Sequence, residues 1–192
     1  MTDLLKQTPS QTVGPFFQFA LTTGGENVLT NDLTTGEHIV IRGRILDGDS
    51  APVPDAMIEI WQADSQGIFN HPADLRCAQA DPNFRHFGRC NTLNAGQFLF
   101  RTVKPGCVPF DSSQMQAPHI NVRVFARGML VHAVTRLYFP DESANHTDPI
   151  LNSIDLDRRE TLIAQRDGTK GESIYRFDIV LQGSNETVFF DA

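Results

Sequence analysis

Side chains that alternate between apolar and polar with a period of two recur along this chain, and that pattern favours strands over any other element. His119-Ile120-Asn121-Val122-Arg123-Val124 alternates strictly, which puts Ile120, Val122 and Val124 on one face. Tyr175, Phe177, Ile179 and Leu181 share a face in the same way. Residues 38–46, 56–62, 97–103 and 129–139 carry further β-branched and aromatic runs, and residues 186–190 read as a last edge strand. Turn clusters separate them: Asp47-Gly48-Asp49, Val53-Pro54-Asp55 and Lys104-Pro105-Gly106. Only one segment reads as a helix. Asp157-Arg158-Arg159-Glu160 has capping-box spacing, and the pattern continues to Gln165 before Asp167-Gly168 stops it. The expected fold is all-β: a single antiparallel β-sandwich with an extended N-terminal arm, long loops and one short late helix.

A chain of 192 residues suits one well-buried core. Residues 1–36 show no steady period and carry Pro9, Gly14, Pro15, Gly24 and Gly25, so they are expected to form an arm that packs on a partner. Residues 37–192 would form the sandwich. Residues 64–96 are irregular and polar, and a loop of that length in a compact domain is usually functional or partner-bound.

Charge and cysteine usage exclude several classes. The net charge of -7 argues against a general nucleic-acid binder, which needs a basic surface to displace counterions. Lys occurs only at 6, 104 and 170, so the other cations are Arg, the better fork for a carboxylate. Cys77, Cys90 and Cys107 form no CxxC pair and read as reduced thiols. No apolar run reaches bilayer length and the N-terminus has no signal-peptide block, so a soluble, cytoplasmic protein is expected.

Several motifs carry a resemblance. Ile41-x-Gly43-x-Ile45, Ser50, Val53, Ile58-Glu59-Ile60 and Gly67-x-Phe69 follow in order. Asp81-Pro82-Asn83-Phe84, Gly88-Arg89-Cys90, residues 102–106 and residues 175–179 extend them over nearly the whole chain. In these the chain resembles the intradiol ring-cleavage dioxygenases. The segments Thr8-Pro9-Ser10-Gln11-Thr12-Val13-Gly14-Pro15 and Glu186-Thr187-Val188-Phe189-Phe190-Asp191 are similar to those of the family's alpha subunits, which act with protocatechuate and O2. The resemblance implies a homologous iron-bearing beta subunit, Fe(III) held by that partner, and a higher-order hetero-oligomer. The implied reaction cleaves the bond between the hydroxyl-bearing carbons to give 3-carboxy-cis,cis-muconate.

In catalytic chains of that family two tyrosinates and two histidines hold the iron. The matching positions here are Arg76, Val108, His119 and Asn121, so only one imidazole survives. Fe(III) is a hard cation that suits anionic oxygen, and a guanidinium repels it. The count of tyrosines makes the same point without alignment. Tyr138 and Tyr175 are the only two, both inside patterned strands where packing is the simpler role. His38, His71, His86, His132 and His146 show no metal-ligand spacing. No catalytic residue is therefore expected on this chain.

The resemblance implies that Thr12, Gly14 and Pro15 approach the partner's substrate pocket and that Arg127 reaches toward the substrate carboxylate. Read without it, Gly14-Pro15 is a turn in a surface arm, and Arg127 is equally a solvated arginine ending a strand. Gln116, Arg123 and Arg136 are weaker candidates, and Trp61 reads as a core or interface aromatic. Two other functions stay open: a self-sufficient metalloenzyme using His119 with His86 or His132, and a β-sandwich binding module without catalytic association.

Overall fold

The structure, a computed structural model, describes residues 8–14, 16–167 and 172–191. Pro15 lies outside the described residues. The strands are β1 (His38–Leu46), β2 (Met57–Trp61), β3 (Phe87–Asn91), β4 (Gln97–Val103), β5 (Val108–Pro109), β6 (Met115–Gln116), β7 (His119–Phe125), β8 (Ala133–Tyr138), β9 (Gln165–Asp167), β10 (Ser173–Arg176) and β11 (Ile179–Val180). Two short helices, α1 (Phe17–Leu21) and α2 (Pro149–Asn152), sit in connecting segments.

Two sheets face each other. In the first, β1 pairs with β4 on one side and with β10 and β11 on the other, and β9 closes the edge beyond β10. The second has the order β3-β2-β7-β8, antiparallel throughout. The inner faces meet through Ile39, Ile41, Ile45, Phe98, Phe100 and Tyr175 from one sheet and Ile58, Ile60, Ile120, Val122 and Leu137 from the other. Burial of each such side chain stabilises by roughly 1.5–3 kcal/mol. The alternation on β7 is kept: Ile120, Val122 and Val124 are buried in this core.

The sandwich expected from the sequence is present, with local departures. The pairing of β1 with β10 and β11 is parallel, so the first sheet is mixed. The line from Tyr175 to Leu181 is not one strand, because it breaks at Phe177-Asp178 between β10 and β11. Both pieces still bury Tyr175, Phe177 and Ile179. At the break Gly43 comes so close that a Cβ there would lie 1.8 Å from the Phe177 carbonyl oxygen. The strand expected over 129–139 begins only at Ala133, and residues 186–190 are extended coil fixed by Thr187 N–H to Val180 O at 2.9 Å and Phe190 N–H to Val134 O at 2.8 Å.

The late helix is a correction. Only a 3-10 turn forms, over Arg159–Leu162, and its N-cap makes no side-chain hydrogen bond. Sheet pairing wins beyond it: Ile163 bridges Tyr138, Ala164 N–H donates to Tyr138 O, and Gln165 opens β9. Strand β3 was likewise not expected within the long loop. The second half of the arm also belongs to this chain's own core, since Leu29 is fully buried and its N–H donates to Arg101 O at 2.8 Å.

Candidate functional site

The outer face of the second sheet carries the residues of interest because of the same period-two rule. Ile58 and Ile60 point inward, so Glu59 and Trp61 point outward. Cross-strand pairing then builds rows: Phe87, Trp61, Asn121 and Arg136 lie side by side across β3, β2, β7 and β8. His119 is two residues away along β7, on the same face. Residues 69–76, β5, β6 and the Phe190-Asp191 end wall this face into a cleft of about 1230 Å³. Asp64 shapes that wall, since its buried carboxylate accepts from the N–H groups of Gln66, Ile68 and Asp81 at 2.9–3.0 Å.

All four positions expected to be degenerate ligand sites, Arg76, Val108, His119 and Asn121, line this one cleft. Arg76 is engaged locally: its Nε and Nη2 donate to Asp74 at 3.1 and 2.9 Å, and Nη2 also donates to Gly67 O at 2.8 Å. The guanidinium holds the Asp74 carboxyl down to about 2. His119 is buried, with Nδ1–H donating to Ala117 O at 2.8 Å. Burial first, and Arg136 second, push its pKa down to about 4, so the imidazole is neutral at physiological pH.

Neither tyrosine lines the cleft. Tyr138 is fully buried, donates to Asp148 Oδ1 at 3.2 Å, and has its pKa raised to about 12 chiefly by burial. Tyr175 donates to Asp141 Oδ2 at 3.0 Å, and burial again raises its pKa. A guanidinium, an isopropyl group, one neutral imidazole and one amide do not make a ferric donor set. Among the described residues no group of three His, Cys, Asp or Glu side chains could hold a metal ion. The combination of His119 with His132 finds no support either. His132 stacks on Phe125 with ring centroids 5.1 Å apart, at the other end of β7.

The expected substrate-binding residues gather elsewhere. Thr12 Oγ1 accepts from Gly128 N–H at 2.9 Å, which ties the arm to the turn holding Arg127. Gly14 has φ of +71°, a conformation that L side chains avoid, and open space where a Cβ would sit. Arg127 is 67% exposed, and its Nε lies 2.7 Å from Asp55 Oδ2, an ion-pair contact without hydrogen-bond geometry. Phe17 packs near Phe125 at 6.4 Å, while Phe16, Phe19, Leu130 and Val131 are exposed. From His119 to this patch is the length of β7, about 20 Å at the rise of a strand.

Gln116, Arg123 and Arg136 all line the cleft, as does Trp61. Sequence reasoning missed Trp61 as a cleft residue, although its parity with Glu59 on β2 carried the signal. It stacks on Phe69 with centroids 5.8 Å apart and planes 10° apart.

Comparison with known proteins extends these observations. The family profile described as Dioxygenase matches residues 13–183. A protocatechuate 3,4-dioxygenase alpha chain of Burkholderia cepacia is 46% identical over 97% of this chain and 98% of its own length. The beta chain of the same organism is 36% identical over 84% of this chain and 72% of its own. Among solved structures, the dioxygenase domain of a carbohydrate-binding fusion from Streptomyces sp. SirexAA-E superposes with a TM-score of 0.64 at 26% identity, covering 93% of this chain and all of that one.

Proposed function

We start from the fact that this chain belongs to the intradiol ring-cleavage dioxygenase family, and we propose that it is the non-iron-binding alpha subunit of a protocatechuate 3,4-dioxygenase. A homologous beta subunit holds the Fe(III), and the two chains together complete the site for O2-dependent cleavage of protocatechuate to 3-carboxy-cis,cis-muconate. The 46% identity to an alpha chain over nearly the full length supports the subunit type. The likeness to a beta chain supports a partner of the same fold.

One observation carries the reading: the cleft that collects the family's ligand positions lacks a ferric donor set, while the residues matching substrate contacts sit about 20 Å away on an exposed patch. A patch so far from this chain's own cleft serves a neighbouring site. Its share of the reaction is positioning. Arg127 sets a guanidinium beside the carboxylate of the substrate, a charge-assisted contact that also steers approach. Gly14 lets backbone come close to the ring, and the apolar side chains of Phe16 and Phe19 exclude water once covered. The partner's ferric iron supplies the redox chemistry.

The test is reconstitution. The chain prepared alone is expected to carry no stoichiometric iron and to leave protocatechuate intact. Mixing with a separately prepared iron-bearing beta chain should yield ring cleavage at the expected bond. Assembly without any rise in activity over the beta chain alone would count decisively against a role in completing the site.

A further inference from the structure

The geometry points to the cleft over β2, β7 and β8 as a metal-free binding site for a hydroxylated aromatic carboxylate, held by Trp61, Arg136 and His119. Three kinds of recognition converge there. Trp61 and Phe69, stacked on each other, offer an aromatic wall, and Phe87 continues it across the row. Arg136 offers the charge. Its Nη1 donates to Gln116 Oε1 at 2.8 Å, and among the described residues no carboxylate pairs with its guanidinium. That leaves donors for a ligand, and Gln116 fixes the fork in place.

His119 offers the complementary acceptor. Ala117 O can only accept, so Nδ1 carries the proton and Nε2 presents a lone pair. Among the described residues Nε2 has no protein partner, and the buried ring lines the cleft. A phenolic hydroxyl is a donor that fits it. Trp61 and Arg136 stand two strands apart in one row on either side of Asn121, about 10 Å between backbones, and both line the cleft.

The electrostatics agree with an anionic ligand even though the whole chain is acidic. The acids of the cleft are largely spoken for: Glu59 accepts from Arg89 Nε at 2.6 Å, and Asp74 from Arg76. Asp191, Arg123 and Arg136 also line the cleft, so among the described residues its arginines outnumber the one acid left outside an ion pair. A neutral His119 adds no competing charge. Binding without turnover is the expected outcome, because the described residues of the cleft do not make a ferric donor set. The inference rests on the reading above only in taking this cleft as free of iron.

Trp61 is the chain's single tryptophan, so its fluorescence reports on this cleft alone. The probe is 4-hydroxybenzoate, which has one hydroxyl and therefore cannot undergo cleavage between two hydroxyl-bearing carbons. Titration into the full chain should change Trp61 emission saturably, with benzoate and phenol each binding more weakly. Arg136→Gln should weaken the probe ~tenfold or more, since a charge-assisted pair is lost. Arg136→Lys should recover part of it, with thermal melts showing both variants folded. In the assembled protein, calorimetry should find two probe molecules per alpha–beta pair, falling to one with Arg136→Gln. An emission that does not saturate, or affinity indifferent to Arg136, overturns the site. Iron assayed in the same samples separates the two ideas: bound iron with ring cleavage by the lone chain defeats the subunit assignment, whereas a silent Trp61 in iron-free protein defeats only this site.

Discussion

At its first residue β7 buries His119 against Ala117 O, with the Arg136 guanidinium acting on it, whereas two residues past its last one Arg127 stands in solvent over Asp55. The first end has walls, hydrogen-bonded loops and a cleft that gathers Arg76, Val108, His119 and Asn121, the four positions expected as degenerate ligand sites. The second has an exposed cation, a left-handed glycine and uncovered phenylalanines. A site that is fully built yet chemically short of donors sits opposite one that is chemically apt yet unfinished. The contrast teaches that, in a chain of this kind, architecture and chemistry can be inherited separately. The fold keeps the cleft because its backbone is also the sandwich, while the exposed end carries less of the core.

The largest effect should come from restoring donors. Arg76→Tyr, Val108→Tyr and Asn121→His together would add two phenols and a second imidazole to the wall that already holds His119. The combined variant should go from no iron to about one Fe(III) per chain, with the visible absorption of tyrosinate bound to iron. Metal analysis and the absorption spectrum read this directly. If a folded triple variant takes up none, donor shortage is not what separates this cleft from a catalytic one.

Stability should also be unequal between the ends. Asp148 is fully buried beneath the cleft and accepts from Ala117 N–H and Leu151 N–H at 2.7 Å and from Tyr138 OH at 3.2 Å. Asp148→Ala orphans those donors and should cost about 3–5 kcal/mol. Asp55→Ala removes one ion pair, with an exposed guanidinium and a mostly buried carboxylate, and should cost about 1 kcal/mol. Urea midpoints at constant slope compare the two. Equal losses would mean that the patch is as integral to the fold as the cleft.

A pH titration separates two groups that line the cleft. His119 has its folded pKa lowered from 6.5 to about 4, so folding favours the neutral ring. That stability is complete above pH 6.5 and drains as pH falls toward about 4, a window worth about 3 kcal/mol from the shift. Asp74, lowered from 3.8 to about 2 by Arg76, loses its contribution only below that window. Replacing His119 with Asn should flatten the upper step and leave the lower one.

The sequence made the inner faces legible because burial repeats every second residue, as at Ile120, Val122 and Val124 on β7. The four positions expected as degenerate ligand sites share one cleft. What the sequence hid was decided by partners distant along the chain. The capping-box spacing near Asp157 gave way to pairing of Ile163 and Ala164 with Tyr138, which no local pattern announces. Trp61 read as a core or interface aromatic, and its row with Asn121 and Arg136 sets it in the cleft. Arg127 was legible as a charge near a turn, but Asp55, 72 positions earlier, was not foreseeable as its counterion.

The smallest effect is the most specific. Arg127→Gln removes an exposed charge, so the stability of the lone chain should move by less than ~0.5 kcal/mol. In the assembled protein it should lower kcat/KM for protocatechuate about tenfold, or ~1.4 kcal/mol of transition-state stabilisation. Catechol, which lacks the carboxylate, should be affected far less, because the guanidinium has nothing to pair with. Thr12→Val releases the arm from Gly128 N–H and should lower both substrates a few-fold alike, since it disturbs placement and not charge. The ratio of the two substrates is therefore the discriminating quantity. Arg127→Gln should change it, and Thr12→Val should not. A tenfold loss shared equally by catechol would show that Arg127 holds the patch together through Asp55 and never meets the carboxylate, and the exposed end of β7 would then be structural like the buried one.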